Sequence, residues 1–255
     1  MQRGFSQAVS MVIFSLALQP LFAADTYWEK MSRAEVEALI KETPEGQRPD
    51  LREKDFRGED MSGIDFHGAD LFYAHMRDVN LAGADFSHAN LDLAIMLGAN
   101  LEGANFSHAT LNNTGLDGAN LAKANLSDTQ LVAKMNRAVL EGANLENAMA
   151  GANMKNQSMG MIRAQLDYAN LNQASMKNAN LSFCTLRFGD LRNANLQGVD
   201  FTWCDLSKAD FTGADMTGAI LTDAKLTSAV FRNIKGRETL VGLDKARDVH
   251  NAVFD

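Results

Sequence analysis

The sequence predicts an all-β solenoid, a right-handed quadrilateral parallel β-helix, over residues 51–235. Three observations predict it. A large apolar residue recurs every five residues, and the 17 positions in this register from 51 to 131 and the 14 from 166 to 231 are all Leu, Phe or Met. The residue two places before each of them is usually small and most often Ala, except in the first coil, where it is Pro49, Lys54 and Glu59. A five-residue period fits neither the 3.6-residue turn of an α-helix nor the two-residue alternation of a flat strand.

A chain that turns a corner in every five-residue unit explains both positions, because the large and the small residue can then point inward together. Four such units make one coil of twenty residues, so residues twenty apart stack on one another in neighbouring coils. We therefore expect an aromatic column inside the solenoid and a column of amides outside it. The first comprises Phe66, Phe86 and Phe106, and the second comprises Asn80, Asn100 and Asn120.

The repeating units, such as GANLEGANF, GADFSHANL and KADFTGADM, match the pattern A-(D/N)-L-x-x. On these motifs the chain resembles the pentapeptide-repeat proteins from about Leu51 to Phe231. The resemblance implies a right-handed quadrilateral β-helix. It also implies that the residue before each large apolar residue, usually Asp or Asn, lies outside, together with the two residues that follow.

The five-residue register slips within residues 132–165. Leu140 and Leu145 come one residue early there, and Met154 and Met159 come one residue earlier again. We predict an irregular coil or a small protruding loop in this segment. Its five methionines favour the filling of an uneven core, because a flexible thioether suits imperfect packing, and a flexible contact loop is the alternative.

Residues 1–23 are predicted to be a signal peptide. Arg3 is the one charged residue before an apolar run, AVSMVIFSLALQPLF, and the small residues Ala23 and Ala24 follow it. The run is too short, and too interrupted by polar residues and Pro, for a comfortable membrane span. The sequence therefore predicts a periplasmic or secreted protein that has no membrane span after cleavage.

Caps are predicted at both ends of the solenoid, in residues 24–50 and 236–255. Ser32 and Glu35 form a capping-box pattern at the start of a short amphipathic helix. Gly236 ends the five-residue register, and the tail after it predicts one or two short helical turns. Such caps cover the unpaired edges that a parallel solenoid leaves at its ends.

The two cysteines, Cys184 and Cys204, lie twenty residues apart, and both occupy the small inward position. Stacked coils place their Cα atoms about 4.8 Å apart, which is within the range of a disulfide, and export permits one. Parallel neighbouring side chains point the same way, however, which disfavours the torsion that a disulfide needs. We therefore predict two buried free thiols, with a disulfide as the alternative.

The sequence contains no P-loop, no dinucleotide-binding glycine motif, no HExxH and no CxxC. The abundant Asp and Asn residues are explained by the outer positions of the repeat. His88 and His108 share an outer column, but no third metal ligand stands at a matching spacing. We therefore predict a non-catalytic chain with no cofactor and no metal site.

Aromatic residues interrupt the polar exterior at the second position after the large apolar residue. They are Tyr168 and Phe188 on one corner and Phe183 and Trp203 on the adjacent corner. A smaller apolar group in the first half comprises Phe72, Tyr73, Leu93, Ile95 and Leu97. Large exposed apolar patches mark interaction sites, and Trp dominates interface hot spots, so we predict an interaction surface with Trp203 as its anchor. The alternative is that a loop folds over these rings.

These observations predict an exported, non-catalytic solenoid that acts as a protein-interaction or scaffold module, with an unknown protein or a second copy as partner.

Some members of the family that it resembles imitate duplex DNA and protect gyrase from quinolones. The signal peptide argues against that alternative, and so does the charge. Residues 25–131 carry 19 acidic and 9 basic side chains, whereas residues 132–255 carry 13 and 14. No direct binding of nucleic acid is expected. Glycan or cell-wall binding through Trp203 and its neighbours is a further alternative.

Overall fold

In the computed structural model the chain winds into coils whose sides are bridged from one coil to the next. The structure describes residues 28–152 and 163–255. Parallel bridges join the residue before each large apolar residue to its counterpart in the next coil. These bridges form four ladders along the rod. We name them ladders I, II, III and IV, and they begin at Asp50, Asp55, Asp60 and Asp65.

The large apolar residues and the small residues before them fill the interior. Leu101 and the neighbouring Ala99, for example, have no exposed surface. The predicted aromatic column is confirmed, because the rings of Phe66, Phe86 and Phe106 stack with centroid distances of 5.0 and 4.9 Å and planes within 8°. Stacking of each core residue on the next coil makes the stability of any coil depend on its neighbours.

Most corners are turns closed by a hydrogen bond from the N–H of the small residue to the carbonyl of the large apolar residue three places earlier. The N–H of Ala74, for example, donates to the carbonyl of Leu71 at 3.0 Å. The third residue of these turns has positive φ, as in a type II turn, and this position favours Gly. Gly83 occupies it with φ 66°, but Tyr73 and Leu93 adopt φ 55° and 63° there with bulky side chains.

Where the outer residue of a ladder is Asp or Asn, its side chain commonly caps the turn that follows it. The carboxylate of Asp60 accepts a hydrogen bond from the N–H of Ser62 at 3.0 Å. The predicted amide column is also confirmed, because the Nδ2 of Asn100 donates to Asn80 at 2.9 Å and that of Asn120 donates to Asn100 at 3.1 Å. These side-chain bonds reinforce the backbone bridges between coils.

The capping carboxylates predict a loss of stability in acid. The hydrogen bond from the Arg52 side chain lowers the pKa of Asp50 to about 2, and the N–H of Ser62 lowers the pKa of Asp60. A carboxyl group whose pKa is lower in the folded state stabilises the fold above its unfolded pKa, and this contribution is lost as the pH falls towards the folded pKa. We therefore expect the melting temperature to be constant from neutral pH to about pH 5 and to fall between about pH 4 and pH 2.

Thermal unfolding followed by circular dichroism over a series of pH values tests this expectation. Asp60→Asn is a suitable companion variant, because the amide oxygen can accept the same N–H but does not titrate. Its melting temperature should fall less steeply in acid than that of the unchanged chain. A melting temperature that stays constant down to pH 2 contradicts the prediction.

The register slip begins at Leu131, where a step of four residues brings Met135 into the next core position. The bridge from Gly115 to Lys134 therefore spans nineteen residues. Regular bridging continues through Val139. The coil that starts here takes thirty-one residues to return to ladder II, where Lys134 pairs with Gln165.

The described part of the predicted irregular segment 132–165 is thus a regular coil as far as residue 152. Leu140 and Leu145, which the pattern placed one residue early, are buried in the core. The eleven extra residues of this coil fall between ladders I and II. Met154 and Met159 lie outside the described residues.

The N-terminal cap consists of strand β1 (Glu29–Lys30) and helix α1 (Arg33–Glu42). β1 pairs in parallel with β2 (Lys54–Asp55) and so extends ladder II beyond the first coil. Ser32 caps the start of the helix and forms the reciprocal hydrogen bonds of a capping box with the glutamate three residues on. Across the described residues no helix is long and apolar enough to cross a bilayer. The predicted signal peptide, residues 1–23, lies outside the described residues.

The last coil has six residues on each side instead of five. Its ladder positions are Val241, Arg247 and Val253. Each six-residue side contains one short 3₁₀ turn. These turns are Arg237–Thr239, Leu243–Lys245 and Val249–Asn251. Strand β3 (Val230–Phe231) pairs in parallel with β4 (Val253–Phe254). The segment 236–255 is therefore a closing coil of the solenoid with single 3₁₀ turns at its corners.

Cys184 and Cys204 form a disulfide, so the prediction of two free thiols is wrong. Both residues are fully buried, and their Cα atoms are 4.7 Å apart. The prediction gave too much weight to the parallel direction of stacked side chains. The spacing between coils alone already places the two residues within the range that disulfides span. The bond joins two neighbouring coils covalently.

Candidate functional site

The four predicted surface aromatics lie on the two corners that border ladder II. We call this side of the solenoid, with its two bordering corners, face II. The first corner, between ladders I and II, carries Phe183 and Trp203, and the second, between ladders II and III, carries Tyr168 and Phe188. The structure therefore brings all four residues to one side of the rod.

All four aromatic residues occupy the turn position that favours Gly. Their φ angles are 61° at Tyr168, 64° at Phe183, 58° at Phe188 and 60° at Trp203. A residue with a Cβ atom in this conformation costs about 1 kcal/mol. Tyr168, Phe188 and Trp203 are 53%, 41% and 46% exposed, and Phe183 is half-buried. Most other non-Gly residues with positive φ in this protein are polar, so large exposed rings are unusual at this position.

The second corner carries a column in which cations flank two stacked rings. The rings of Tyr168 and Phe188 are parallel within 6° and 4.6 Å apart. The guanidinium of Arg137, one coil earlier, lies 5.8 Å from the centroid of Tyr168, and the Nζ of Lys208, one coil later, lies 4.8 Å from that of Phe188. Such cation–π contacts hold the ring faces against their neighbours and leave the ring edges to solvent.

The first corner carries a second pair of stacked rings, with one cation beside it, next to the disulfide. Phe183 and Trp203 are parallel within 6°, with centroids 6.4 Å apart, and the guanidinium of Arg247 lies 5.4 Å from the Trp203 ring. The disulfide-bonded cysteines directly follow the two aromatic residues in sequence. The bond therefore fixes the spacing of the two coils that present these rings.

A shallow groove of about 630 Å³ lies beside Tyr168, and polar side chains line it. The N–H of Asn136 donates to Asp117 at 2.9 Å, and the N–H of Arg187 donates to Asp167 at 2.9 Å. The Nε of Arg187 also donates to Asp167, and this hydrogen bond raises the pKa of Arg187. Because each lining residue is tied to the next coil, the groove has a rigid polar wall.

The smaller apolar group of the first half also lies on face II. Tyr73 and Leu93 occupy the first corner, and Leu93 is 42% exposed. Trp28 extends this group, because its ring lies 5.3 Å from that of Tyr73 and its Nε1 donates to the Tyr73 carbonyl at 3.1 Å. Apolar residues are therefore present at both ends of the same face.

Sequence reasoning missed the cations and Trp28. Lys208 lies twenty residues after Phe188, so the repeat spacing alone could have placed it in the aromatic column. Arg137 and Arg247 do not lie twenty residues from the rings that they contact. The register slip changes the spacing for Arg137, and the six-residue sides of the last coil change it for Arg247. Trp28 precedes the repeats, and no periodic signal placed it.

The histidine column lies on a different corner, after ladder IV. His88 and His108 stack with centroids 4.9 Å apart, and His67 approaches His88 edge-on at 5.3 Å. The Nδ1 of His67 lies 2.8 Å from the hydroxyl of Ser87. Within residues 28–152 and 163–255, no group of three or more His, Cys, Asp or Glu residues is arranged to hold a metal ion.

A protein-family model described as pentapeptide repeats matches residues 60–98, 99–132, 161–198 and 194–233, in eight copies. Among solved structures, the chain is similar to HetL, a pentapeptide repeat protein involved in heterocyst differentiation regulation in the cyanobacterium Nostoc. The two are 27% identical over 88% of this chain and 94% of HetL, with a TM-score of 0.51.

A second similar structure is QnrB1, a plasmid-mediated fluoroquinolone resistance protein. It is 19% identical over 81% of this chain and 89% of QnrB1, with a TM-score of 0.46. A third is Rfr23 from the cyanobacterium Cyanothece, which is 25% identical over 59% and 89% of the two chains, with a TM-score of 0.29. Among curated proteins, no sequence matches this chain.

Proposed function

Because this chain belongs to the pentapeptide-repeat family, we propose that it is an exported, non-catalytic module that binds another protein through face II. The right-handed quadrilateral β-helix of the family provides a rigid rod for this purpose. The observation that carries the proposal is the row of exposed aromatic rings at turn positions that favour Gly. Rigid, partly exposed aromatic side chains are the residues that most often anchor protein interfaces.

A protein partner fits the aromatic corners better than a glycan does. Stacking on a sugar requires an open ring face. The faces of Tyr168 and Phe188 are turned towards each other and towards Arg137 and Lys208, so mainly ring edges meet solvent. Mimicry of duplex DNA requires negative charge along the whole rod, and the second half of the chain lacks that excess.

The carboxylates of the repeat support a structural role, because they are engaged in capping turns. Asp200 accepts the N–H of Thr202 at 2.8 Å, and Asp210 accepts both the N–H and the hydroxyl of Thr212. Groups held in this way stabilise the corners and are poorly placed to transfer protons to a substrate. This arrangement supports a non-catalytic module.

Export is supported by the disulfide together with the pattern of residues 1–23. Disulfides persist in oxidising compartments and are rare in the bacterial cytoplasm. A buried bond between Cys184 and Cys204 suits a protein that matures outside the cytoplasm. Mass spectrometry of the chain from a periplasmic or secreted fraction should give an N-terminus after Ala23 or Ala24. A full-length chain found only in the cytoplasm contradicts this part of the proposal.

Crosslinking and pull-down in the native envelope test the proposed interaction. We expect the double variant Trp203→Ala/Phe188→Ala to lose the bound protein while its circular dichroism stays that of the unchanged chain. Val139→Ala is a matched control, because Val139 is 37% exposed on ladder III and outside face II. Capture that is the same for all three chains would remove face II as the binding surface.

A further inference from the structure

The histidine column lies on the corner between ladders IV and I, which is not part of face II. His88 and His108 occupy the same turn position in consecutive coils, with φ 60° at both, and their exposed rings stack with centroids 4.9 Å apart. His67 lies one coil earlier, and its ring meets that of His88 edge-on at 5.3 Å. Three imidazoles therefore lie within a short stretch of one corner.

The nitrogens of the two stacked rings are accessible from solvent. The Nδ1 of His67 lies 2.8 Å from the hydroxyl of Ser87, so a neighbouring side chain already orients that ring. Across residues 28–152 and 163–255, the imidazoles of His88 and His108 have no hydrogen-bond or ion-pair partner. Their contact with the protein is the ring stack, which leaves their nitrogens free to bind a ligand from solution.

The surroundings of the column are acidic. Between residues 65 and 130, the ladder and turn positions at this corner hold no Lys or Arg, and their carboxylates are Asp65, Asp70, Asp85 and Asp128. Arg52 reaches Asp70 from the next corner at 3.6 Å. On the opposite side, Glu102 and Lys123 pair with each other at 3.3 Å. The remaining negative charge favours the approach of a cation.

We propose that His88 and His108 together bind a divalent transition-metal ion, with Cu²⁺ bound more tightly than Zn²⁺. Imidazole nitrogen suits both ions, and Cu²⁺ stands at the top of the affinity order of the divalent first-row metals. This site goes beyond the proposed function and does not depend on face II.

The spacing of the coils suits a shared ion. Two imidazole nitrogens on one ion lie about 3 to 4 Å apart, because each metal–nitrogen bond is about 2.0–2.1 Å long. The rings of His88 and His108 are stacked with centroids 4.9 Å apart, so each must tilt to point a nitrogen at the ion. Exposed side chains change rotamer within nanoseconds, which makes this tilt accessible. Water fills the other positions of the ion, so we expect reversible binding rather than a closed structural centre.

Titration of the folded chain with CuSO₄ and with ZnCl₂ tests the inference, on protein purified without a polyhistidine tag. We expect one Cu²⁺ per chain and weaker binding of Zn²⁺. The electron paramagnetic resonance spectrum of the copper complex should show two imidazole nitrogens. The disulfide between Cys184 and Cys204 leaves no free thiol to compete for the metal.

His88→Asn and His108→Asn should each weaken the binding of Cu²⁺ about tenfold or more, because the loss of a ligand costs at least as much as the loss of a group behind it. Asparagine suits these turns, since Asn147 adopts φ 58° in the same column. Circular dichroism checks that each variant is folded.

His67→Asn and His250→Asn are the matched controls. Each removes one exposed histidine, the first beside the stacked pair and the second in the last coil, and each should leave the affinity for Cu²⁺ unchanged. Binding that does not saturate, that resists His88→Asn, or that depends on His67 or His250 as strongly as on His108 overturns the paired site. None of these outcomes bears on face II, because the two surfaces share no residue.

Discussion

Replacing Leu101 with Asp is expected to lower the free energy of unfolding by more than about 5 kcal/mol, which is enough to unfold the central coils. Leu101 has no exposed surface, and Ala99 and Ala104 beside it are equally buried. A carboxylate there loses its hydration without gaining a partner, and the lost leucine leaves a cavity. Since each coil is stable only through its neighbours, the damage should spread along the rod.

Urea unfolding followed by circular dichroism measures this effect. Leu101→Ala keeps the experiment informative if the aspartate variant is insoluble, and it should cost about 2–5 kcal/mol through the cavity alone. Glu102→Ala is the control in the adjacent position, because its carboxylate is exposed and pairs with Lys123 at the surface, at 3.3 Å. It should change stability by less than about 0.5 kcal/mol. Equal effects at residues 101 and 102 would contradict the assignment of inner and outer positions.

Removing the disulfide is expected to lower the free energy of unfolding by about 3 kcal/mol, because the bond closes a loop of about twenty residues in the unfolded chain. The double variant Cys184→Ala/Cys204→Ala isolates this effect well. Alanine is the ordinary residue at the small inward position, and Ala164 and Ala224 occupy the same column in the coils on either side. The substitution therefore restores the repeat pattern while removing the bond.

The same urea unfolding experiment, with and without a thiol reductant, measures the contribution. Reductant should destabilise the unchanged chain to nearly the level of the double variant and should leave the double variant unaffected. A double variant that is as stable as the oxidised chain contradicts the prediction.

The core and its columns could be predicted from the sequence because a five-residue period leaves few geometries that bury both apolar positions. The stack of Phe66, Phe86 and Phe106 follows from the period and from a twenty-residue coil alone. The same spacing placed the surface aromatics on adjacent corners. Wherever the period is kept, residue number maps directly onto position along the rod and around it.

The prediction weakened wherever the period changes. At Leu131 a missing residue shifts the count, so Arg137 did not stand out as the neighbour of Tyr168. In the last coil each side has six residues instead of five, so the repeat spacing did not predict the contact between Arg247 and Trp203. The disulfide depended on local geometry that a repeat pattern does not contain. The candidate site combines all three features, which is why the sequence located its rings but not their cations.

The six-residue sides after Lys235 also determine where the rod can be lengthened. A further five-residue coil added after Val253 would meet ladder positions at Val241 and Arg247 that are spaced for six. Growth by duplication of whole coils is therefore compatible with the fold only upstream of this segment, for example by repeating residues 81–100. Each such duplication would move the two ends of the rod apart by one coil while leaving both caps intact.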